Sequence, residues 1–274
     1  MAKSVEDIRN IAVCGHGSSG KTTLVDQLLV KTGAVSGQPS VDAGTSICDF
    51  DEEEKHHKHS VEASIVHFDH GGKRFNVIDT PGYPDLIGQT IGALRAVETA
   101  LIAIDAHAGI KVNTRRVWQE AGDAGLGRII CITKLDADNI NFPNLIDSIK
   151  EVFGSQCALF NVPVGQGTGL KGVVSTIDVP KETAGALIDP AELSESVMES
   201  IIEADEAIME KYLEGEMPSR EELARLCSEA VRQGTLTPIV CISTKMGIGL
   251  NELLAVLAQA SLPASAVPRT AKKD

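Results

Sequence analysis

Aromatic side chains are scarce in this 274-residue chain, at 3% of its residues: six Phe, two Tyr and one Trp. The core must therefore be aliphatic, made of Ile, Val, Leu and Ala in strands and helices. Positive charge is also in deficit. Twenty-five Lys and Arg face 38 Asp and Glu, a formal net charge of −13, which argues against direct, charge-driven binding of nucleic acid. No C-x-x-C pair occurs among the six cysteines. Cys14, Cys131 and Cys241 sit inside apolar runs, where Cys acts as a small hydrophobe, so a reducing, cytoplasmic setting is expected. No apolar run approaches ~18 residues, so no membrane span is expected. Met1–Asp7 is polar and lacks an apolar signal core. No internal repeat is visible. At this length the chain accommodates one large domain or a domain with a small companion.

What is present is concentrated in a few short motifs. Gly15-His16-Gly17-Ser18-Ser19-Gly20-Lys21-Thr22 is a complete G-x-x-x-x-G-K-T phosphate-binding loop, and Thr23 follows it. It lies between an apolar run, Ile11–Cys14, and a helix-like stretch, Thr23–Leu29. That context matters, because backbone N–H groups and a helix dipole must converge on the anion. Lys21 is placed to reach the β- and γ-phosphates, and Thr22 to give its hydroxyl to Mg²⁺.

Five short apolar runs recur between helical patterns: Ile11–Cys14, Arg74–Ile78, Leu101–Ile104, Ile129–Ile132 and Ile239–Ile242. Unbroken runs suit parallel strands buried on both faces. Ala63–Phe68 alternates more and is expected to pair antiparallel with Arg74–Ile78 across Asp69-His70-Gly71-Gly72. The pattern predicts an α/β doubly wound fold, mostly parallel, with helices on both faces and the ligand beyond the strand C-termini.

Residues 33–60 show no periodicity and are expected to form a long functional or mobile loop. It ends in the run Asp51–His59, whose histidines raise a metal site as the alternative to a solvated loop. Roughly a hundred residues separate Asp136 from Ser243, far more than the connections of about 2–6 residues usual around one helix. After a helix near Phe142–Phe153, an inserted α+β subdomain is expected over 157–234, leaving 1–156 and 235–262 as the main domain. The insert opens with strands at Ala158–Val164 and Gly172–Ile177. Two helices follow, the first carrying Val197, Ile201, Ala204, Ile208 and Tyr212 on one stripe. Its opposite face carries Glu199, Glu203, Glu206 and Glu210, either a solvated face or a docking face for a basic partner. Residues 263–274 are expected to be a linker or tail.

Three further motifs follow strand-like runs. Asp79-Thr80-Pro81-Gly82 places a carboxylate where it can hold Mg²⁺ through water, and a glycine whose N–H can meet a γ-phosphate. Thr133-Lys134-Leu135-Asp136 puts a carboxylate where it can accept hydrogen bonds from guanine N1 and N2, which adenine cannot supply. Ser243-Thr244-Lys245 offers a backbone contact to guanine O6. In this order the four motifs specify a GTPase domain of the P-loop NTPase class.

On these residues the chain resembles the GTP-binding domain of translation elongation factors, especially elongation factor G and its paralogues. Arg9–Ile11, Asn76–Gly82, Asp105–Ile110, Val117-Trp118 and Lys211–Glu216 are similar to that family, over nearly the whole chain. The resemblance implies GTP/GDP and Mg²⁺ as ligands and the ribosome as partner, with its acidic stalk proteins at the inserted subdomain. It also implies further domains in full-length relatives. Counting back from Asp79 places Ser60, in His57-Lys58-His59-Ser60, where the family's Mg²⁺-binding threonine stands. The expected metal set is Thr22, Ser60 and Asp79.

Three departures stand out. Tyr83 follows the D-T-P-G motif where the family pattern has the histidine that orients water, although some paralogues share the tyrosine. Losing a preorganised donor can lower a rate by roughly 10²–10³. Ser18 replaces an Asp associated with a monovalent cation, and Thr133 replaces Asn. The expected catalytic group is Lys21, Gly82 and Tyr83. Two alternatives remain: a GTP-holding switch with little hydrolysis, and an ATP-using kinase in which Asp136 has no role.

Overall fold

The computed structural model describes residues 3–269. Its elements are β1 (Ile8–Gly15), α1 (Lys21–Lys31), α2 (Glu52–His57), β2 (Ser64–His70), β3 (Lys73–Asp79), α3 (Ile87–Leu94), β4 (Thr99–Asp105), α4 (Val112–Asp123) and β5 (Gly127–Thr133). They continue with α5 (Phe142–Phe153), β6 (Cys157–Leu159), β7 (Asn161–Val164), β8 (Gly172–Ser175), α6 (Pro190–Ile202), α7 (Glu206–Leu213), α8 (Arg220–Gln233), β9 (Thr237–Cys241) and α9 (Leu250–Ala260).

Seven strands form one sheet in the order β2-β3-β1-β4-β5-β9-β6, parallel except for β2. Alternate residues of each central strand enter different layers, which is why the runs are apolar without a break. Ile11, Val13, Leu101, Ile129, Cys131 and Val240 pack with α1, α6, α8 and α9. Ala12, Cys14, Ile102, Ile130, Ile132, Ile239 and Cys241 pack with α3, α4 and α5 on the other face. Each fully buried aliphatic chain contributes about 1.5–3 kcal/mol. All six cysteines are buried free thiols, as the small-hydrophobe reading requires. The parallel strands bring Gly15, Asp79, Asp105 and Thr133 to one edge of the sheet, where connecting loops converge.

Four expectations need correction. The strand over Ala158–Val164 is two elements. β6 pairs with β9 inside the main sheet, so a boundary at 157 would divide that sheet. β7 instead pairs antiparallel with β8. The long glutamate-faced helix is also two, α6 and α7, because Asp205 N-caps α7 through the amides of Ala207 and Ile208. The apolar stripe continues across this break, so periodicity could not reveal it. Glu199, Glu203, Glu206 and Glu210 are exposed on the two helices.

Residues 33–60 are not structureless: α2 lies within them, N-capped by Asp51 in a capping box with Glu54. Glu54, expected to be solvated, is 0% exposed. Finally, the described part of the tail is docked. Ala264 N–H donates to Ile8 O, and the Arg269 guanidinium donates to Val97 O and pairs with the buried carboxylate of Glu98 at 2.6 Å. Residues 270–274 lie outside the described residues. No described helix is long and apolar enough to cross a membrane.

Candidate functional site

The phosphate loop runs from the end of β1 into α1. Lys21 is 6% exposed, and its Nζ donates to His16 O at 2.9 Å, folding the side chain back over the loop. Burial lowers the pKa of its ammonium, and Asp79 offsets part of that. Gly82 closes against the same loop. A Cβ there would stand 2.3 Å from Lys21 Nζ and 2.7 Å from Gly17 N, so no larger residue fits. Its carbonyl accepts from Asn113 Nδ2 at 2.7 Å, which ties it to the first turn of α4. Thr80 Oγ1 donates to Val13 O at 2.9 Å and fixes the turn after β3.

Thr22, Ser60 and Asp79 come together as the expected metal set. Thr22 Oγ1 donates to Asp79 Oδ2 at 2.7 Å and lies 3.0 Å from Ser60 Oγ, which itself donates to Asp49 Oδ1 at 2.8 Å. With both hydroxyl protons given to carboxylates, the two hydroxyl oxygens face each other with lone pairs. Asp79 Oδ1 is buried and has no hydrogen-bond partner among the described residues. Burial pushes the Asp79 carboxyl up to about 7; Thr22 and Lys21 oppose the rise, and Asp49 and Asp26 add to it. A crowded, all-oxygen, under-neutralised set of this kind fits a hard divalent cation such as Mg²⁺.

Tyr83 follows Gly82, is 40% exposed, and lays its ring over Gly17, whose added Cβ would meet it at 3.5 Å. The imidazole of His59 tilts against the phenol with ring centroids 4.6 Å apart. His16 is half-buried, and burial, Lys21 and Lys111 lower its pKa, which favours a neutral ring beside the loop.

The third and fourth motifs meet the first. Thr133 Oγ1 donates to Ser19 O at 2.8 Å, joining the end of β5 to the phosphate loop. Lys134, at φ 58°, donates from Nζ to Ser18 O at 2.6 Å and pairs with Asp105 Oδ2 at 2.9 Å. Partial burial works against the charged form of Asp105. Lys134 and the amides of Ala108 and His107 outweigh it and hold the carboxyl below its usual range. Ser243 Oγ donates to Asp136 Oδ1 at 2.5 Å, so the two residues of the predicted base contact are already joined.

A cavity of about 800 Å³ spans these parts. Gly17, Ser18, Gly20, Lys21, Thr22 and Thr23 line it from the first motif; Ser60, Gly82 and Tyr83 line it from the switch-like segments. Lys134, Thr244 and Lys245 line it from the third and fourth motifs, and residues 38–42 and His59 also border it. Gly15, His16, Ser19, Asp79, Thr133, Asp136 and Ser243 are not part of this lining; His16 and Asp79 bond to lining residues, Thr133 bonds to Ser19, and Asp136 and Ser243 bond to each other. Five groups near the site had no sequence signal of their own. Asp49, Asp26 and Glu54 belong to or face the unpatterned loop, Asn113 looks like an ordinary helix residue, and His59 lies in a charge run. Asp105 was discernible only as the first residue of the Asp105–Ile110 stretch that is similar to the family.

The model of the elongation factor Tu GTP binding domain matches residues 6–262. An elongation factor G-like protein of Mycobacterium tuberculosis is 34% identical over 262 residues, covering 91% of this chain and 36% of its own length. An elongation factor G-like protein of Thermotoga maritima is 30% identical over 261 residues, covering 91% of this chain and 37% of its own. A crystal structure of a Thermus thermophilus protein superposes with a TM-score of 0.85 at 33% identity, over 94% of this chain and 41% of that one. The chain thus spans under two-fifths of the length of these curated relatives. It belongs to the family of elongation factor GTP-binding domains and is elongation-factor-G-like.

Proposed function

We propose that this domain binds GTP with Mg²⁺, hydrolyses it slowly on its own, and serves as the nucleotide-dependent switch of a longer cytoplasmic protein that works on the ribosome. One observation carries the reading: a single cavity is lined by Lys21, Thr22 and Ser60, with Asp79 bonded to Thr22 behind them and the Asp136–Ser243 pair next to its Thr244 and Lys245 wall.

In this reading the amides from Gly17 to Thr22 and the Lys21 ammonium neutralise phosphate charge. Thr22, Ser60 and Asp79 would hold Mg²⁺. When bound, the ion supplies charge neutralisation to the β- and γ-phosphates. Gly82 N–H meets the γ-phosphate, and Tyr83 is the group placed to hold the attacking water. Asp136 accepts from the guanine edge, and the Lys134 stem covers the base plane. The exposed carboxylates of α6 and α7 favour a basic partner there over the acidic stalk proteins of the ribosome.

Affinities for GTP and ATP, in wild type and Asp136→Asn, test the assignment. Wild type should prefer GTP strongly and the variant should lose that preference; equal wild-type affinities would overturn it. A second reading, a GTP-holding switch with little hydrolysis, is favoured by the phenol at Tyr83. Ribosome-stimulated turnover of the full-length protein separates the two, since a large gain in Tyr83→His supports the second reading and parity the first.

A further inference from the structure

Three of the chain's seven histidines fall within residues 56–59, beside three consecutive glutamates. The nucleotide site uses none of Glu53, His56 or His57. Glu53 and His57 are one helical turn apart on α2, and His57 Nε2 lies 3.3 Å from Glu53 Oε2. The His56 and His57 rings meet edge to face with centroids 4.9 Å apart. One donor atom from each of the three residues lies within 4.8 Å of the other two, and all three side chains are exposed.

An i,i+4 ion pair explains the Glu53–His57 contact alone. It does not explain why a second imidazole is turned onto the same spot. Donors bound at ~2.0–2.1 Å in a tetrahedral shell stand roughly 3.3 Å apart, the spacing that Glu53 and His57 already have. Two imidazoles and one carboxylate select a borderline transition ion such as Zn²⁺ or Co²⁺ over Mg²⁺, and leave a coordination position open to water.

The platform is also fixed in advance. Asp51 and Glu54 cap the first turn of α2. The C-cap, Lys58, takes a left-handed conformation at φ 56°. Beyond it, His59 Nδ1 lies 3.1 Å from His57 O, so that ring is engaged with the backbone and with Tyr83.

We propose that Glu53, His56 and His57 form a surface site for a divalent transition metal of the zinc class, separate from the Mg²⁺ cluster. It sits on the short helix that leads directly into Ser60. An ion held there fixes the turn that carries His59 and Ser60 to the nucleotide cavity.

The test is a Co²⁺ titration of tag-free protein, followed by its visible absorption, with Zn²⁺ as competitor. Millimolar Mg²⁺ is present throughout to fill the oxygen cluster. One Co²⁺ should bind per chain and be displaced by Zn²⁺. Glu53→Gln, His56→Asn and His57→Asn should each weaken binding by at least about tenfold, since even outer-shell changes cost 10–100-fold. His107→Asn and His59→Asn should leave it unchanged. The proposal fails if the triple variant binds as tightly as wild type. It also fails if His59→Asn abolishes binding while His56→Asn does not. The substituted groups are exposed, so unfolding does not confuse the outcome, and a thermal melt verifies this.

Discussion

Glu54 is the residue whose replacement should be most informative. Its two carboxylate oxygens accept four backbone N–H groups: Phe50 and Asp51 at 3.1 Å each through Oε2, and Val61 and Glu62 at 2.9 and 3.1 Å through Oε1. The side chain therefore bolts both flanks of α2 together and sets where Ser60 stands. Glu54→Gln is nearly isosteric, but an amide has one acceptor oxygen and one donor group, so one pair of N–H groups must face a donor. Two orphaned, partly buried amides cost at most about 2–6 kcal/mol if the fold stays closed. Local opening of residues 49–62 relieves that strain and limits the loss. Amide exchange is the assay. Protection at 50 and 51, or at 61 and 62, should fall by about 30- to 1000-fold, which corresponds to about 2–4 kcal/mol. The global melting temperature should move little. Mg²⁺ affinity should fall, because Ser60 is no longer held beside Thr22. Unchanged protection at all four amides would refute the reasoning, and so would uniform loss across the whole domain.

Three other outcomes are expected. Gly82→Ala forces a Cβ to 2.7 Å from Gly17 N, so the turn must retreat from the phosphate loop. Fluorescent-nucleotide titrations should show affinity for the triphosphate falling by about 10–100-fold, one charge-assisted hydrogen bond, with the diphosphate nearly unaffected. Without divalent metal, the folded protein keeps a proton on Asp79 up to about 7, whereas the ordinary value is 3.8. The unfolded chain has released that proton above about pH 4, so this group's stabilisation declines as pH rises from about 4 to 7, by roughly 4 kcal/mol at most. Denaturant melts in chelator should show the decline in wild type and not in Asp79→Asn. Arg269→Ala leaves the fully buried Glu98 with only Asn10 Nδ2, at 2.8 Å, as a side-chain partner among the described residues. Because the arginine is half exposed, the loss should be about 1–2 kcal/mol rather than the 3–5 of a fully buried pair; thermal unfolding measures it.

The parts of this protein legible in its sequence are those whose stability comes from regular burial. Ile11–Cys14, Leu101–Ile104, Ile129–Ile132 and Ile239–Ile242 are apolar at every position because both faces are covered, so the sheet and the motifs at its edge could be placed from residue order alone. The segment from 33 to 60 could not. Single side chains acting on backbone hold it: Glu54 on four amides and Asp26 on Ile47 N at 3.0 Å. Such bonds leave no periodic trace. The same applies to Asp205, which ends one helix and starts another inside a continuous apolar stripe. Arg269, in a stretch that reads as a polar tail, finds its partner 171 positions earlier in the chain. Within the candidate site, motif residues were discernible because their chemistry is local in sequence. Asp49 and Asn113 were not, because each acts only through a neighbour that folding supplies.

The clamp from Thr133 to Ser19 and from Lys134 to Ser18 has a consequence for what such a pocket can sense. In the proposed nucleotide pose it braces the wall facing the portion that diphosphate and triphosphate forms share. In the proposed pose the one atom group that differs between them meets Gly82 and the segment ending at Ser60, which are tied instead to Asn113 on α4 and to Glu54 on α2. News of a third phosphate therefore has two outlets. One leads into the helical layer containing α4, and the other into the segment whose Cys48 is buried in the opposite layer. On the proposed reading the base end stays silent, so the domain would report which nucleotide it holds without loosening its hold on either.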